Sequence, residues 1–165
     1  MTTAETLTTP DGPFSVVVAD DAVLAAGWTD SIEELVALVH PQLRTATGSP
    51  AVLRAAQEAV RAYYDGDLDA PAAVPVRQRS GEFREHAWKV LREVEPGERI
   101  SYTEFAERSG RPAAVRAVAG ACARNAAALF VPCHRVLRSG GALGGFRYGT
   151  PLKTALLDRE ALTCR

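Results

Sequence analysis

The chain has 165 residues, 47% of them hydrophobic and 24% charged, a balance that suits one sizeable core or two small ones and excludes a wholly disordered chain. Its formal charge of −1 hides an asymmetry: residues 1–76 carry three basic against eleven acidic side chains, a net −8, and residues 77–165 carry sixteen against nine, a net +7. A basic half of this kind suits a polyanionic partner, although plain attraction between the two halves accounts for the charges equally well.

No run of eighteen apolar residues occurs, and the opening MTTAETLTTPDGPF has neither a basic start nor an apolar stretch. The expectation is a cytoplasmic protein without a membrane partner. Cys122, Cys133 and Cys164 are odd in number and lack paired spacing, which argues against a disulfide framework. A cysteine with a special role here is therefore expected to be reactive.

In chain order, Asp11-Gly12-Pro13 reads as a turn, Phe14 to Asp20 as a β-branched strand, Asp20-Asp21 as a hairpin turn and Ala22 to Trp28 as a second strand. Ser31 with Glu34 three residues on predicts a capped helix to about Val39, ended by His40-Pro41. A longer helix is predicted from Pro50 to about Tyr64, stopped by Asp65-Gly66. The Pro-containing stretch 67–79 reads as a linker or crossover, and the domain boundary is placed after Val76, giving domains 1–76 and 77–165.

From Ser80, the spacing of Phe83, Ala87, Trp88, Val90, Leu91 and Val94 predicts a helix stopped by Pro96-Gly97. A helix-turn-helix follows: Ser101 caps a short helix through Arg108, Ser109-Gly110 is the turn, and Pro112 starts a second helix to about Ala123. The alanines around Arg116 and Ala117 make one face of that helix smooth enough for a close approach, either to the core or to a partner.

The sharpest feature is Val131-Pro132-Cys133-His134-Arg135-Val136, a cysteine beside an imidazole and a guanidinium. A cysteine attacks as its thiolate, and His134 or Arg135 could favour that form. A buried, inert cysteine is the ordinary alternative. With Pro96-Gly97-Glu98, Ser101-Tyr102, Arg116-Ala117-Val118, Asn125, Gly140 and Lys153 in unbroken register, this string resembles the O6-alkylguanine-DNA alkyltransferase family from about Phe83 to Glu160. The segment GALGGFRYG at 141–149 is most similar to the branch of bacterial adaptive-response proteins, while Arg147 and Tyr148 stand where other branches carry smaller residues.

The resemblance implies an α+β fold, with a small RNase H-like α/β amino-terminal domain and a mostly helical, winged helix-turn-helix carboxy-terminal domain. It implies a single-turnover methylated-DNA–protein-cysteine S-methyltransferase, with Cys133 as alkyl acceptor, His134 as base through a water, Glu160 orienting His134, and Asn125 tying down the active-site turn. The partner would be double-stranded DNA containing O6-alkylguanine, with the damaged base flipped out. Arg116 would fill the vacated place in the stack and Ala117 would allow close approach in the minor groove. Tyr102, the Val136 carbonyl and the backbone near Arg147 would hold the base, and Arg124, Arg138 and Arg135 belong to the expected DNA- and substrate-binding surface.

Phosphate-loop and dinucleotide fingerprints are missing, so no cofactor is expected; Cys122, His40, His86 and Cys164 lack metal-ligand spacing, so neither is a metal. Cys122 is expected in the core, and the protein is expected to be a monomer. Three rivals remain: a non-catalytic module that binds the alkylated base, a sequence-reading regulator, and a thiol hydrolase using Cys133 and His134. The acceptor thiol argues against the first, and an alanine-rich second helix against the second.

Overall fold

The computed structural model describes residues 3–44 and 47–163. It is an α+β protein in two compact units: residues up to Ser80 together with Ala126–Phe130, and Gly81–Asn125 together with the chain from Val131 on.

The first unit is built on an antiparallel sheet in the order β1 (Thr3–Thr9), β2 (Gly12–Ala19), β3 (Ala22–Gly27). β1 was not predicted, although its four threonines suit a pleated surface and it pairs along its whole length with β2. Asp20 turns the β2–β3 hairpin at φ 52°, a left-handed conformation that aspartate tolerates. From Phe14 to Ala19 every residue of β2 is buried, as befits a central strand. Helices α1 (Ile32–Leu38) and α2 (Pro50–Tyr64) pack on the sheet. They start where predicted, with Ser31 Oγ accepting from Glu34 N and Ser49 Oγ from Val52 N.

The stretch 67–79 is no free linker. Leu68, Pro71 and Val74 are buried, and the backbone docks on β3, with Val23 N donating to Pro75 O at 2.9 Å and Arg77 N to Val23 O at 2.9 Å. The first unit therefore runs past the expected boundary at Val76 to Ser80. A second departure is larger: Ala126–Phe130 comes back to this unit, Ala26 exchanging backbone hydrogen bonds with Ala126 O (2.9 Å) and Ala128 N (3.0 Å). Three alanines followed by Leu129 and Phe130 form an apolar run that adds a strand-like partner to the β3 edge, and burial of all five side chains is what stabilises it there.

In the second unit, α3 (Glu82–Leu91), α4 (Tyr102–Arg108) and α5 (Val115–Ala123) pack on one another. Trp88 of α3 donates its indole N–H to Ala121 O of α5 at 2.8 Å. α4 is held by a reciprocal capping box between Ser101 and Glu104. The second helix starts three residues later than Pro112, because Ala114 N closes a turn on Arg111 O at 2.9 Å and Ala114 stays outside helical ψ. Two short strands, β4 (Ile100–Ser101) and β5 (Val136–Leu137), pair in parallel, and α6 (Thr150–Thr163) follows.

Candidate active site

Cys133 is placed by its local backbone. Pro132, at φ −83° and ψ 64°, forms an inverse γ-turn in which Cys133 N donates to Val131 O at 2.8 Å, and a single 3-10 turn over Cys133–Arg135 follows. Proline suits this site because its ring already fixes φ near the required value. The chain enters from Leu129, which sits at φ 72°, an unusual conformation for a branched residue that redirects the backbone near the end of the Ala126–Phe130 segment. Pairing of Val136 with Ile100 and of Leu137 with Ser101 then brings the start of α4, and with it Tyr102, to the same end of the unit.

Side chains complete the arrangement. Asn125 Nδ2 donates to Val131 O at 2.8 Å and to Cys133 Sγ at 3.3 Å, so one amide secures the turn and contacts the thiol. His134 is fully buried and donates from Nε2 to Glu160 Oε2 at 2.7 Å. Arg135 binds the same carboxylate through Nε at 2.8 Å and Nη2 at 3.2 Å, and donates from Nη1 to Val94 O at 2.7 Å. His134 Nδ1 is buried and has no hydrogen-bond partner among the described residues.

Protonation follows from these contacts. Burial works against the Glu160 carboxylate, but His134 and Arg135 outweigh it and hold the group well below the usual carboxylate range. Burial pushes the His134 imidazolium down, so the ring is neutral near pH 7. With the proton on Nε2, assigned from its carboxylate partner, Nδ1 carries a lone pair. Burial also pushes the Cys133 thiol up, against the Asn125 hydrogen bond and the charges of Lys153 and Arg147. The resting group is thus a thiol, and a base is needed to make it a nucleophile.

Arg135 is a further correction. It was assigned to the DNA- and substrate-binding surface, but it is only 5% exposed and its guanidinium is engaged by Glu160 and Val94. Arg116, Ala117, Arg124 and Arg138 are exposed, the first two on α5, and Arg124 directly at its C-terminal end. Tyr102 is half-buried, and burial followed by the nearby Cys122 and Cys133 pushes its phenol up. Arg147 reaches Ala123 O at 2.6 Å. Cys122 is partly exposed on α5 rather than in the core, and burial pushes its thiol up as well. Cys164 lies outside the described residues. His40 caps the 3-10 turn after α1, its Nδ1 accepting from Gln42 N at 3.2 Å. Among the described residues, no three His, Cys, Asp or Glu side chains group as metal ligands, and no helix is long and apolar enough to cross a membrane.

Lys153, named only as part of the family string, proves to be a site residue. Lys153, fully buried, donates to Val136 O (2.8 Å), Leu143 O (2.6 Å) and Gly145 O (3.4 Å), so the carbonyl assigned to base recognition is already bound to an ammonium. The signal was present in α6: Lys153, Leu156, Leu157 and Glu160 share one helical face, and two ionisable residues on an apolar stripe mark a buried ionic site.

The described turn, thiol and Glu160–His134 pair lie within residues 82–162, which match the family model of the 6-O-methylguanine DNA methyltransferase DNA-binding domain. The chain belongs to the 6-O-methylguanine DNA methyltransferase family. It is 31% identical over 163 residues to the methylated-DNA–protein-cysteine methyltransferase of Shigella flexneri, covering 94% of each chain. It is 46% identical over 93 residues, 56% of its length, to the bifunctional transcriptional activator/DNA repair enzyme Ada of Escherichia coli. It spans 26% of that protein and 38% of the regulatory protein ada of Salmonella typhimurium. The crystal structure of Mycobacterium tuberculosis OGT in complex with DNA superposes with a TM-score of 0.78 at 30% identity, over 97% of this chain and 93% of that one.

Proposed function

We propose that this protein repairs DNA by transferring an alkyl group from O6 of guanine to its own Cys133. The observation that carries the reading is the partly exposed Cys133 thiol beside a neutral, Glu160-anchored His134 whose Nδ1 lone pair has no partner among the described residues. His134 takes the thiol proton through a water, and the buried Glu160 carboxylate stabilises the imidazolium that results. Asn125 and the Lys153 charge favour the sulfur anion at the moment it forms. Sulfur attacks the alkyl carbon in line; the S–C bond forms, the C–O6 bond breaks, and its electron pair leaves with guanine, which takes up a proton. The product is a thioether that water does not hydrolyse, so each chain acts once.

The partner in this reading is double-stranded DNA, contacted by α5 in the minor groove. Arg116 enters the stack as the base leaves it, Ala117 permits the close approach, and Arg124 and Arg138 neutralise phosphates. Tyr102 and the backbone around Val136 and Arg147 receive the flipped base. The first unit is the RNase H-like companion domain, and the protein acts as a cytoplasmic monomer without a metal or cofactor.

Intact-mass spectrometry after incubation with a duplex carrying one O6-methylguanine tests the reaction. One methyl group is expected per chain, on the peptide holding Cys133, and none on a Cys133→Ser variant. Unchanged mass with tight lesion binding would replace this reading with a non-catalytic binding module.

A further inference from the structure

Turns bound the loop between β5 and α6. Arg138 N bonds Ala142 O at 2.8 Å, Gly141 N bonds Arg138 O at 3.0 Å and Gly149 N bonds Phe146 O at 3.0 Å; in between, the buried Lys153 ammonium donates to the Leu143 and Gly145 carbonyls. Gly144, at φ 70°, lies against the Tyr102 ring, where an added Cβ would stand 3.4 Å from Oη. At the outer side, Arg147 Nη2 donates to Ala123 O at 2.6 Å. That carbonyl belongs to the last turn of α5, where a helix leaves acceptors unpaired and a cation is favoured, and α5 has no basic residue in its own last turn. A side chain 24 positions downstream in sequence does what a local lysine or arginine usually does.

We propose that Arg147 is a positioning residue, a latch that fixes the 143–148 loop to the C-terminal end of α5 and so couples the helix that meets DNA to the loop that carries a guanidinium near the thiol. The inference rests on the alkyl-transfer reading for its kinetic consequence, but the bond itself joins two elements whatever the substrate. Its charge also lies close enough to Cys133 to favour the sulfur anion. With the latch closed, engagement of α5 on a duplex and placement of the loop over the base occur together. With it open, α5 still binds and the loop is left to find its position.

The test compares wild-type protein with Arg147→Ala and Arg147→Lys in single-turnover methyl transfer from an O6-methylguanine duplex, alongside amide hydrogen exchange of the DNA-free proteins. Arg147→Ala should lower the maximal transfer rate about tenfold, the scale of a modest misplacement of reacting groups, while shifting the half-saturating DNA concentration less than about twofold. Exchange should rise in 143–148 and at the end of α5 and stay unchanged in α3. Arg147→Lys, which keeps a donor of similar reach, should recover most of both. A raised half-saturating concentration at an unchanged maximal rate would make Arg147 a phosphate contact and overturn the proposal. A slower rate with unchanged exchange would overturn it too, since the effect would then lie in the charge alone. If wild-type protein transfers nothing, the reaction assigned above fails, and exchange alone still decides the latch.

Discussion

Two polar networks, a half-buried one in the first unit and a buried one in the second, use similar parts to different ends. In the first unit, Tyr64 Oη accepts from Trp28 Nε1 at 2.9 Å and donates to Asp11 Oδ2 at 2.7 Å, while Thr9 Oγ1 donates to Gly12 O at 2.7 Å and accepts from Asp11 N at 3.2 Å. Donors meet acceptors around the circuit, and the network clamps the β1–β2 turn to the end of α2. In the second unit, Glu160 binds His134 and Arg135, but the chain of partners ends at His134 Nδ1. A closed network holds structure; one that stops at a lone pair, on the residue that follows a cysteine in sequence, has capacity left for chemistry.

The sharpest way to break this contrast is Glu160→Gln. Removing the charge leaves Arg135 without its buried counter-ion and His134 without support for its protonated form. Stability should fall by about 3 kcal/mol in denaturant titration, and single-turnover methyl transfer roughly a hundredfold. Tyr64→Phe should cost about 1 kcal/mol in the same titration by leaving half-buried partners unmet, with no change in the transfer rate. If Tyr64→Phe slowed transfer as much as Glu160→Gln, the division between a structural and a chemical network would be wrong.

Acid and base should separate the two networks. Glu160 and His134 both have lowered values in the folded chain, so the unfolded chain binds more protons as pH falls. The His134 contribution is present above about 6.5 and is lost as pH drops below it, and the Glu160 contribution is lost progressively below about 4.3. Tyr64 has the opposite sign: burial, with the Asp11 hydrogen bond, pushes it up to about 12, so its contribution is complete below about 10 and is lost as pH rises from there. Thermal melts across pH should show Glu160→Gln flattening the acid limb and Tyr64→Phe the alkaline one. The smallest effect is expected at the surface, where Arg77 meets Asp20 at 3.2 Å and Asp21 at 3.0 Å with all three side chains well exposed. Arg77→Ala should cost less than about 1 kcal/mol, and a larger loss would mean that the docked 75–77 backbone depends on that pair.

The elements that local chemistry dictates were legible from residues alone. Ser31 and Ser101 at helix starts, the periodic faces of α2 and α3, and Asp20-Asp21 between two apolar runs each have a mechanism acting within a few residues. β1 was missed because a threonine-rich segment shows strand character only when it has a partner. The start of α5 was placed too early because proline permits a helix start without requiring one.

At the site, residue identity determined the actors: a cysteine beside a histidine in a recognised string, with Asn125 and Glu160 in register, needed no coordinates. Tertiary structure decided their states. Burial keeps the Cys133 thiol protonated, turns Arg135 inward to Glu160 and gives Lys153, whose burial the α6 pattern already signals, its three carbonyl partners, and those partners come from distant parts of the chain. It also decided that Ala126–Phe130 joins a sheet laid down a hundred residues earlier. The physical reason is common to all: the free energy of a charge or a free strand edge is set by what surrounds it, and the surroundings come from distant parts of the chain.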